Sequence, residues 1–586
     1  MSATPVATAL ETLDFKVSGG DSALAKDLRA ASLLVSAQTE GTTEAQDLFG
    51  AARAEYGRLV GALYAQGHYS PVIRILIDGR EAASIAPLNA PATINRIEVL
   101  VEPGPVFQFS RANITPLAPK TELPADFAVG QTARSDLVRE AVTVAVDGWR
   151  GIGFAKTAIT GQNVIADHAR STLAADVTLN PGPRLRFGTL TISGQQRMKE
   201  RRIRKIAGLA EGEVYSPGEL NRSADRLRRT GVFSSVTLTE DERVTPPDLL
   251  GITATVVEQK PRRYSFGAEL ASFEGLTLTG SWLHRNLLGG AERLTLNGEI
   301  ENLGAQNSGV DYILGVTLDR PATLSPDTTL GFHVDLERLD EDGYLSTGGA
   351  VGATFSHIFS DQITGTVGIE YGYAKVEDVT GESTFRQLAL PVGAIWDTRD
   401  EKLDATDGYF VEATATPFLG FGNTDSGARL SVDGRAYRSF GDARRVTFAG
   451  RVQAGTVLGT NLRTTPRDYL FYSGGGGTVR GQPYQSLGIP LDTSADPDLI
   501  GGMAFLAASL EVRAKITQKI GIVGFVDAGS VGGQDFFDDL GGWHAGAGLG
   551  LRYDTGFGPI RLDVAAPVGG NTGDGVQIYV GIGQSF

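Results

Sequence analysis

Ala504-Phe-Leu-Ala-Ala-Ser-Leu-Glu-Val-Arg-Ala-Lys-Ile516 changes character at every residue. Leu506, Ala508, Leu510, Val512, Ala514 and Ile516 fall on one face, and Ala507, Ser509, Glu511, Arg513 and Lys515 on the other. A period of two is a strand with two unlike faces. A soluble sandwich also alternates, but its strands are shorter and its hidden face is the apolar one. Charges along one face of strands of about ten residues suit a polar lumen, with hydrocarbon outside. Leu330, Phe332, Val334 and Leu336 repeat the pattern against Gly331, His333, Asp335 and Glu337. From Tyr264 to the C-terminus the chain reads as about sixteen such segments, separated by Gly, Asp and Asn turns, and a 16-stranded antiparallel transmembrane barrel is expected over 263–586.

Composition agrees. The 586 residues include 76 glycines and no cysteine, and carry a net charge of −15. The acidic balance argues against general nucleic-acid binding, and the absence of cysteine excludes a disulfide scaffold or a thiolate site. No apolar run approaches the length of about 18 residues needed for a spanning helix. No cleavable signal sequence is visible at Met1–Leu10; if the protein is exported, the sequence is expected to be its mature form with a start Met.

Before the barrel the chain repeats at a period of about 80 residues. Glu102-Pro-Gly-Pro-Val-Phe-Gln-Phe109 matches Asn180-Pro-Gly-Pro-Arg-Leu-Arg-Phe187, with Gln259-Lys-Pro-Arg-Arg-Tyr-Ser-Phe266 as a looser third copy. A glycine leading to an aromatic recurs at Gly67-His-Tyr69, Gly151-Ile-Gly-Phe154 and Gly231-Val-Phe233. The periodicity predicts β-α-α-β-β in each unit. In the first, helices are expected over Ser22–Ser36 and Glu44–Gln66; in the third, over Met198–Ala207 and Gly218–Thr230. The units are expected at 10–103, 104–182 and 183–262. The third holds a cationic cluster, Arg197, Lys199, Arg201, Arg202, Arg204, Lys205, Arg226, Arg228 and Arg229. It is either a solvated helix face or a contact with anionic lipid or a partner.

Between two barrel segments lies a long loop, about Gly459–Met503, containing Phe471-Tyr-Ser-Gly-Gly-Gly-Gly-Thr-Val-Arg-Gly-Gln-Pro-Tyr-Gln485. Four glycines free the backbone, and one cation, Arg480, follows them. Connections after even-numbered strands read as short and those after odd-numbered strands as longer, so the repeats and this loop belong on opposite sides of the membrane. At the C-terminus Ile578, Val580, Ile582 and Phe586 share a face by alternation.

The β-α-α-β-β units with a terminal Gly-x-Phe/Tyr turn resemble POTRA domains. Tandem units, a barrel of about sixteen strands and Val479-Arg480-Gly481 in the sixth outer loop together resemble the outer-membrane assembly and two-partner secretion superfamily that includes BamA, TamA and FhaC. The resemblance implies that Arg480 docks in the lumen against a Phe-x-Asp-x-Gly motif on the thirteenth strand, here Phe525, Asp527 and Gly529. Where the family has an aromatic after the Val-Arg-Gly, this chain has Gln482, with Tyr484 two residues on. Trp396-Asp-Thr-Arg-Asp400 to Asp407-Gly-Tyr409 resembles the family's segment after the eighth strand; a plain charged turn is the alternative.

By analogy, three modules point to the TamA type within the superfamily. That type implies a TamB-like inner-membrane-anchored partner, unfolded outer-membrane protein substrates and contact with outer-membrane lipid. The activity implied is insertion of barrel and autotransporter-type proteins by strand addition at a lateral seam between the first and last strands, for which Ser265, Gly267, Gly581, Gly583 and Phe586 are the expected residues. The alternative is an FhaC-type pore that threads its substrate through the lumen. Such a pore needs a plug helix, for which Met1–Thr12 is too short. Catalysis has little support. The six histidines, His68, His168, His284, His333, His357 and His544, are scattered. Gly546-x-Gly548-x-Gly550 sits on an alternating strand without the helix of a phosphate loop, and relief of crowding explains it. No cofactor, metal or nucleic acid is expected.

Overall fold

The computed structural model describes residues 12–586 except 272–274, 306–308, 342, 442–443, 492–496, 537–539, 557, 571–572 and 574. The readings made on Met1–Leu10 and on Met1–Thr12 as far as residue 11 lie outside the described residues. The chain forms two compact units: Met1–Thr189 with Ala210–Asn221 and Glu240–Ile252, and Leu190–Leu209 with Arg222–Thr239 and Thr253–Phe586. The division passes through the third repeat, so part of that module belongs with the barrel.

In the first module Thr12–Val17 pairs in parallel with Arg96–Glu102, which pairs antiparallel with Val72–Ile77. Leu28, Leu34, Leu48, Leu59, Leu63, Ile75 and Val99 fill the core between helices and sheet. The helix expected over Ser22–Ser36 is two, Ser22–Ala31 and Leu33–Thr39. Ser32 divides them because its hydroxyl accepts the Val35 N–H at 3.1 Å, an N-cap in place of a continued turn. The buried Glu55 carboxylate, on the helix Ala45–Ala65, accepts the next free amide, from Leu33, at 2.7 Å.

The second sheet runs Gln108–Thr115, Thr172–Asn180, Ala158–Asp167, covered by the helix Ser135–Gly151. The first of its two expected helices is replaced by a turn-rich segment over 116–134. Pro116, Pro119, Pro124 and Gly130 explain this, since each proline lacks an N–H and glycine costs a helix backbone entropy. The third sheet is Arg186–Ser193, Leu249–Glu258, Phe233–Thr245, with helices Glu200–Ala207 and Pro217–Arg229.

Among the described residues the barrel closes through seventeen hydrogen-bonded segments. Two of them, Gly381–Ala389 and Val392–Asp397, each pair with both Ile363–Asp378 and Gly408–Gly420, so they are halves of one eighth strand and the barrel has sixteen. The break is at Pro391, which has no N–H to give the ladder. Its carbonyl still accepts from Gly368, at 2.8 Å. On the twelfth strand, Ala504–Lys515, Leu510 is 70% exposed while Glu511 is 2% and Arg513 6%, so the apolar face meets lipid and the charged face is enclosed.

Two expectations change. Long connections after odd strands are concentrated at 459–503 and 533–541; the hairpins after the fifth strand, Thr328–Glu341, and the seventh, Ile363–Asp378, have two residues each, while the connection after the even eighth strand spans 398–407. Tight hairpins satisfy the sheet whichever side they lie on, so loop length marks only the loops given a further task. Phe586 also departs from its expected face. Ile578, Val580 and Ile582 point outward, but Gly583 turns the chain with φ +91°, and Phe586 is buried inside, 6.4 Å from the Tyr437 ring, with its carbonyl accepting from Arg513 Nη2 at 3.0 Å.

Candidate functional site: the docked loop and the seam

The described residues of the loop 459–503 fold back into the lumen. Its outer part is held by Arg467, which pairs with Asp378 at the end of the seventh strand, and by Thr464 and Asn461, which donate to Asp425. Lower down, Phe471 and Gly502 exchange backbone hydrogen bonds at 2.9 and 2.7 Å, and Ser473 and Leu487 at 3.0 and 2.9 Å. An apolar cluster including Tyr469, Leu470, Phe471 and Leu487 packs this arm against the wall, with Phe471 stacked on Phe505 at 5.6 Å.

At the tip Arg480 is 1% exposed. Its Nε donates to Asp527 Oδ2 at 2.7 Å, its Nη2 to Asp527 Oδ1 at 3.0 Å, and its backbone N–H to Oδ2 at 3.1 Å. Nη1 lies 2.7 Å from Glu511 Oε1 and 3.3 Å from Asp563 Oδ2, and the guanidinium sits 3.6 Å above the Phe525 ring. Glu511 is also paired with Arg513, and Asp563 with Arg552, so three carboxylates meet three guanidinium groups. Burial works against the Arg480 charge, but the Asp527 hydrogen bonds and the three carboxylates outweigh it and hold its pKa above the ordinary arginine value.

The thirteenth strand, Ile520–Gly532, supplies the three alternate residues Phe525, Asp527 and Gly529 to this contact: a ring under the cation, a bidentate partner, and at Gly529 a bare Cα where a side chain would strike Ser473 and Val479. Gly546 does the same opposite the Arg480 carbonyl, and Gly548 opposite Phe525, which is the close approach read from their spacing. Gly481 has φ +93° and lies against the Ala566 backbone, so no other residue fits. Gln482 is fully buried and donates to the carbonyls of Ala545 at 2.7 Å and Gly569 at 3.1 Å. It therefore fixes the tip through hydrogen bonds. Tyr484 stays partly exposed, with its hydroxyl near Glu341.

Glu511, Asp563, Arg467 and Asp378 are not marked as site residues by the sequence, and Gln482 is marked only as the departure from the family's aromatic. Alternation aims Glu511 and Asp563 inward, but their height relative to Arg480 depends on cross-strand register. The segment after the eighth strand closes on itself: Asp397 holds Arg399 bidentately at 2.9 Å, and Asp400 accepts the Thr406 and Asp407 amides at 2.9 and 3.1 Å. It also grips the C-terminus, with Gln584 N–H donating to Leu403 O at 3.1 Å and its side-chain amide to Asp404 at 2.9 Å.

At the closure, Arg262–Ala271 and Gln577–Ile582 share two registered pairs among the described residues, Leu270 with Val580 and Ala271 with Tyr579. The last strand has six pairs with the fifteenth, Pro559–Gly569, and the first has ten with the second, Gly275–His284. Ser265 and Gly267 pair with Ser281 and Thr279 of the second strand, Gly581 with Arg561 of the fifteenth, and the Gly583 N–H donates to Pro559. Phe586, expected at the seam, lies away from it because of the turn at Gly583.

The cationic cluster divides. Arg226 forks onto Asp327 at 2.7–3.2 Å and Arg229 joins it at 2.9 Å; Arg202 donates to the carbonyls of Pro321 at 2.5 Å and Gly290 at 3.3 Å. These contacts tie the module's helices to the turns 285–292 and 321–327. Arg204 and Arg228 pair within their own helices. Among the described residues no cluster of His, Cys, Asp and Glu could hold a metal ion.

Residues 286–586 match the Omp85 superfamily domain, and 185–259 match a POTRA model described as a surface antigen variable number repeat. The chain is 24% identical over 425 residues to the outer membrane protein assembly factor BamA of Neorickettsia risticii, covering 68% of this chain and 55% of that protein. It is 24% identical over 396 residues to BamA of Nitratidesulfovibrio vulgaris, covering 64% and 48%. The chain thus spans about half the length of the curated relatives it matches. In fold it is similar to BamA from Haemophilus ducreyi lacking POTRA domains 1–3, with a TM-score of 0.62 at 18% identity, covering 81% of this chain and 100% of that one. CdiB from Acinetobacter baumannii gives a TM-score of 0.52 at 12% identity, covering 81% and 90%. With the barrel model matching just over half of the 586 residues, the chain belongs to the Omp85 superfamily, as an outer-membrane barrel with periplasmic POTRA modules.

Proposed function

We propose that this protein inserts outer-membrane proteins, including barrel and autotransporter-type substrates, by letting an incoming strand add at the seam between its first and last strands. The observation that carries the reading is the seam, where the described residues of the first and last strands share two registered pairs and Arg262–Glu269 have none with the last strand. In hydrocarbon every backbone group needs a partner, so a weakly paired edge is where a substrate strand gains most. The FhaC-type alternative, threading through the lumen, requires the docked loop to leave first. Comparison with BamA supports the general role. The TamA-like assignment and a TamB-like partner are the finer part of the proposal and rest on the three repeated modules.

For the periplasmic contact we assign the edge strand Ala158–Asp167 of the second module. Edge strands are ordinarily guarded by Lys, Pro or short length. This one runs ten residues, has no charge before Asp167, and exposes Ile159, Val164 and Ile165. The corresponding third-module strand carries Glu240, Asp241, Glu242 and Arg243. Photo-crosslinking from Val164 in native envelopes should capture a partner strand, and equal capture from Thr239 would refute the choice of edge. The seam is tested with Leu270→Cys/Val580→Cys. Oxidation should abolish substrate insertion into vesicles and reduction restore it. If the locked protein inserts as well as the reduced one, threading through the lumen becomes the better account.

A further inference from the structure

The loop tip and the seam meet at one residue. Tyr579, on the last strand, supplies one of the two seam pairs through its backbone, opposite Ala271. Its ring is buried in a small cluster with Val523, Phe525 and Ala565. Its hydroxyl accepts the backbone N–H of Gly481, the residue after Arg480, at 3.1 Å. A Cβ added at Gly476 would rest 3.4 Å from the same ring, so that glycine lies against it.

We propose that Tyr579 is a positioning residue that couples loop docking to seam closure. The Gly481 N–H is enclosed by the lumen wall, and a buried amide without a partner is costly. When the last strand swings outward its Tyr hydroxyl leaves that amide, so opening the seam weakens the dock. Coupling between two sites is reciprocal, so a docked tip holds the last strand closed by the same factor. Arg480 adds weight on the same side of the seam, because its carboxylates stand on the twelfth, thirteenth and fifteenth strands. The inference concerns the barrel's own mechanics, and its test reads the loop and the seam without a substrate, so it stands or falls separately from the insertase reading.

The experiment uses the full chain folded into phosphatidylcholine vesicles, carrying Leu270→Cys and Val580→Cys, with either Tyr579 or Tyr579→Phe. Phenylalanine keeps the ring in its cluster and removes only the hydroxyl, and heat-modifiable gel migration confirms that each variant is folded. With Tyr579 present, oxidising the thiol pair should slow proteinase K cleavage within 459–503 by about two- to tenfold, the range of one neutral hydrogen bond. With Tyr579→Phe, oxidation should leave the cleavage rate unchanged. The reciprocal reading is the rate of thiol pairing. Tyr579→Phe should lower it two- to tenfold when the loop is docked and not at all in an Arg480→Ala background. Equal slowing of cleavage in both backgrounds, no slowing in either, or an unchanged effect of Tyr579→Phe once the loop is released would overturn the coupling.

Discussion

Replacing Arg480 by alanine should release the loop tip, and the structure sets the size of the effect. The side chain makes contacts of 2.7 and 3.0 Å to Asp527, 2.7 Å to Glu511 and 3.3 Å to Asp563, all of them enclosed. Without it, three buried carboxylates face two cations, Arg513 and Arg552, and one charge is left uncompensated. Breaking a buried pair in this way costs about 3–5 kcal/mol. At 1.4 kcal/mol per decade, the docking equilibrium shifts by about 10²–10⁴-fold. The Phe525 ring loses its cation as well, but that contribution is shared with the ion pairs and does not add in full. Proteinase K cleavage within 459–503 in folded, vesicle-inserted protein reads the shift directly. Arg480→Lys should fall between, because an ammonium cannot fork onto Asp527. Arg480→Ala/Asp527→Ala should be less damaging than the sum of its single changes, since the second removes the charge that the first strands. Loop protection within twofold of the parent in Arg480→Ala would refute the account, and so would strict additivity of the pair.

The outer latch is separable from the tip. Asp378→Asn should cost about 1.5–3 kcal/mol locally, exposing Arg463 and Arg467 to trypsin while the Arg480 contacts keep the tip docked. The module clamp should depend on pH in one direction. The Arg226 hydrogen bonds hold the Asp327 carboxyl below its ordinary value of 3.8, so its contribution is fully present above that value and is lost as pH falls through the lower, docked one. Hydrogen-exchange protection factors over 321–327 should therefore stay level from pH 8 to about 5 and drop below about 4. Asp327→Asn should lower them at neutral pH by about 1.5–3 kcal/mol and leave little further change with acid. Protection that declines around pH 6 would place the titration elsewhere. A cysteine at Asn163 should resist an impermeant thiol reagent on intact cells and react after the outer membrane is opened; labelling on intact cells would reverse the orientation.

Much of this fold is local, and so it was legible. Alternation along Ala504–Ile516 follows from the two-residue repeat of an extended chain, and the identity of its faces names the media on either side. The repeated Pro-Gly-Pro junctions marked the modules for the same reason, but the repeat also implies a helix over 116–134, where the local prolines forbid one. Arg480 and Asp527 could be paired only because their motifs resemble those of a family; nothing in the spacing of two residues 47 apart brings them together. Tertiary structure alone decided that Glu511 and Asp563 reach the same height, because register around a closed sheet is set jointly by every strand's stagger. It decided likewise that Gly583 turns Phe586 inward, that Asp327 receives the basic helix, and that Tyr579 serves both the loop and the seam. Each of these is a meeting of residues far apart in the chain, and their proximity is a property of closure, which no short window of sequence contains.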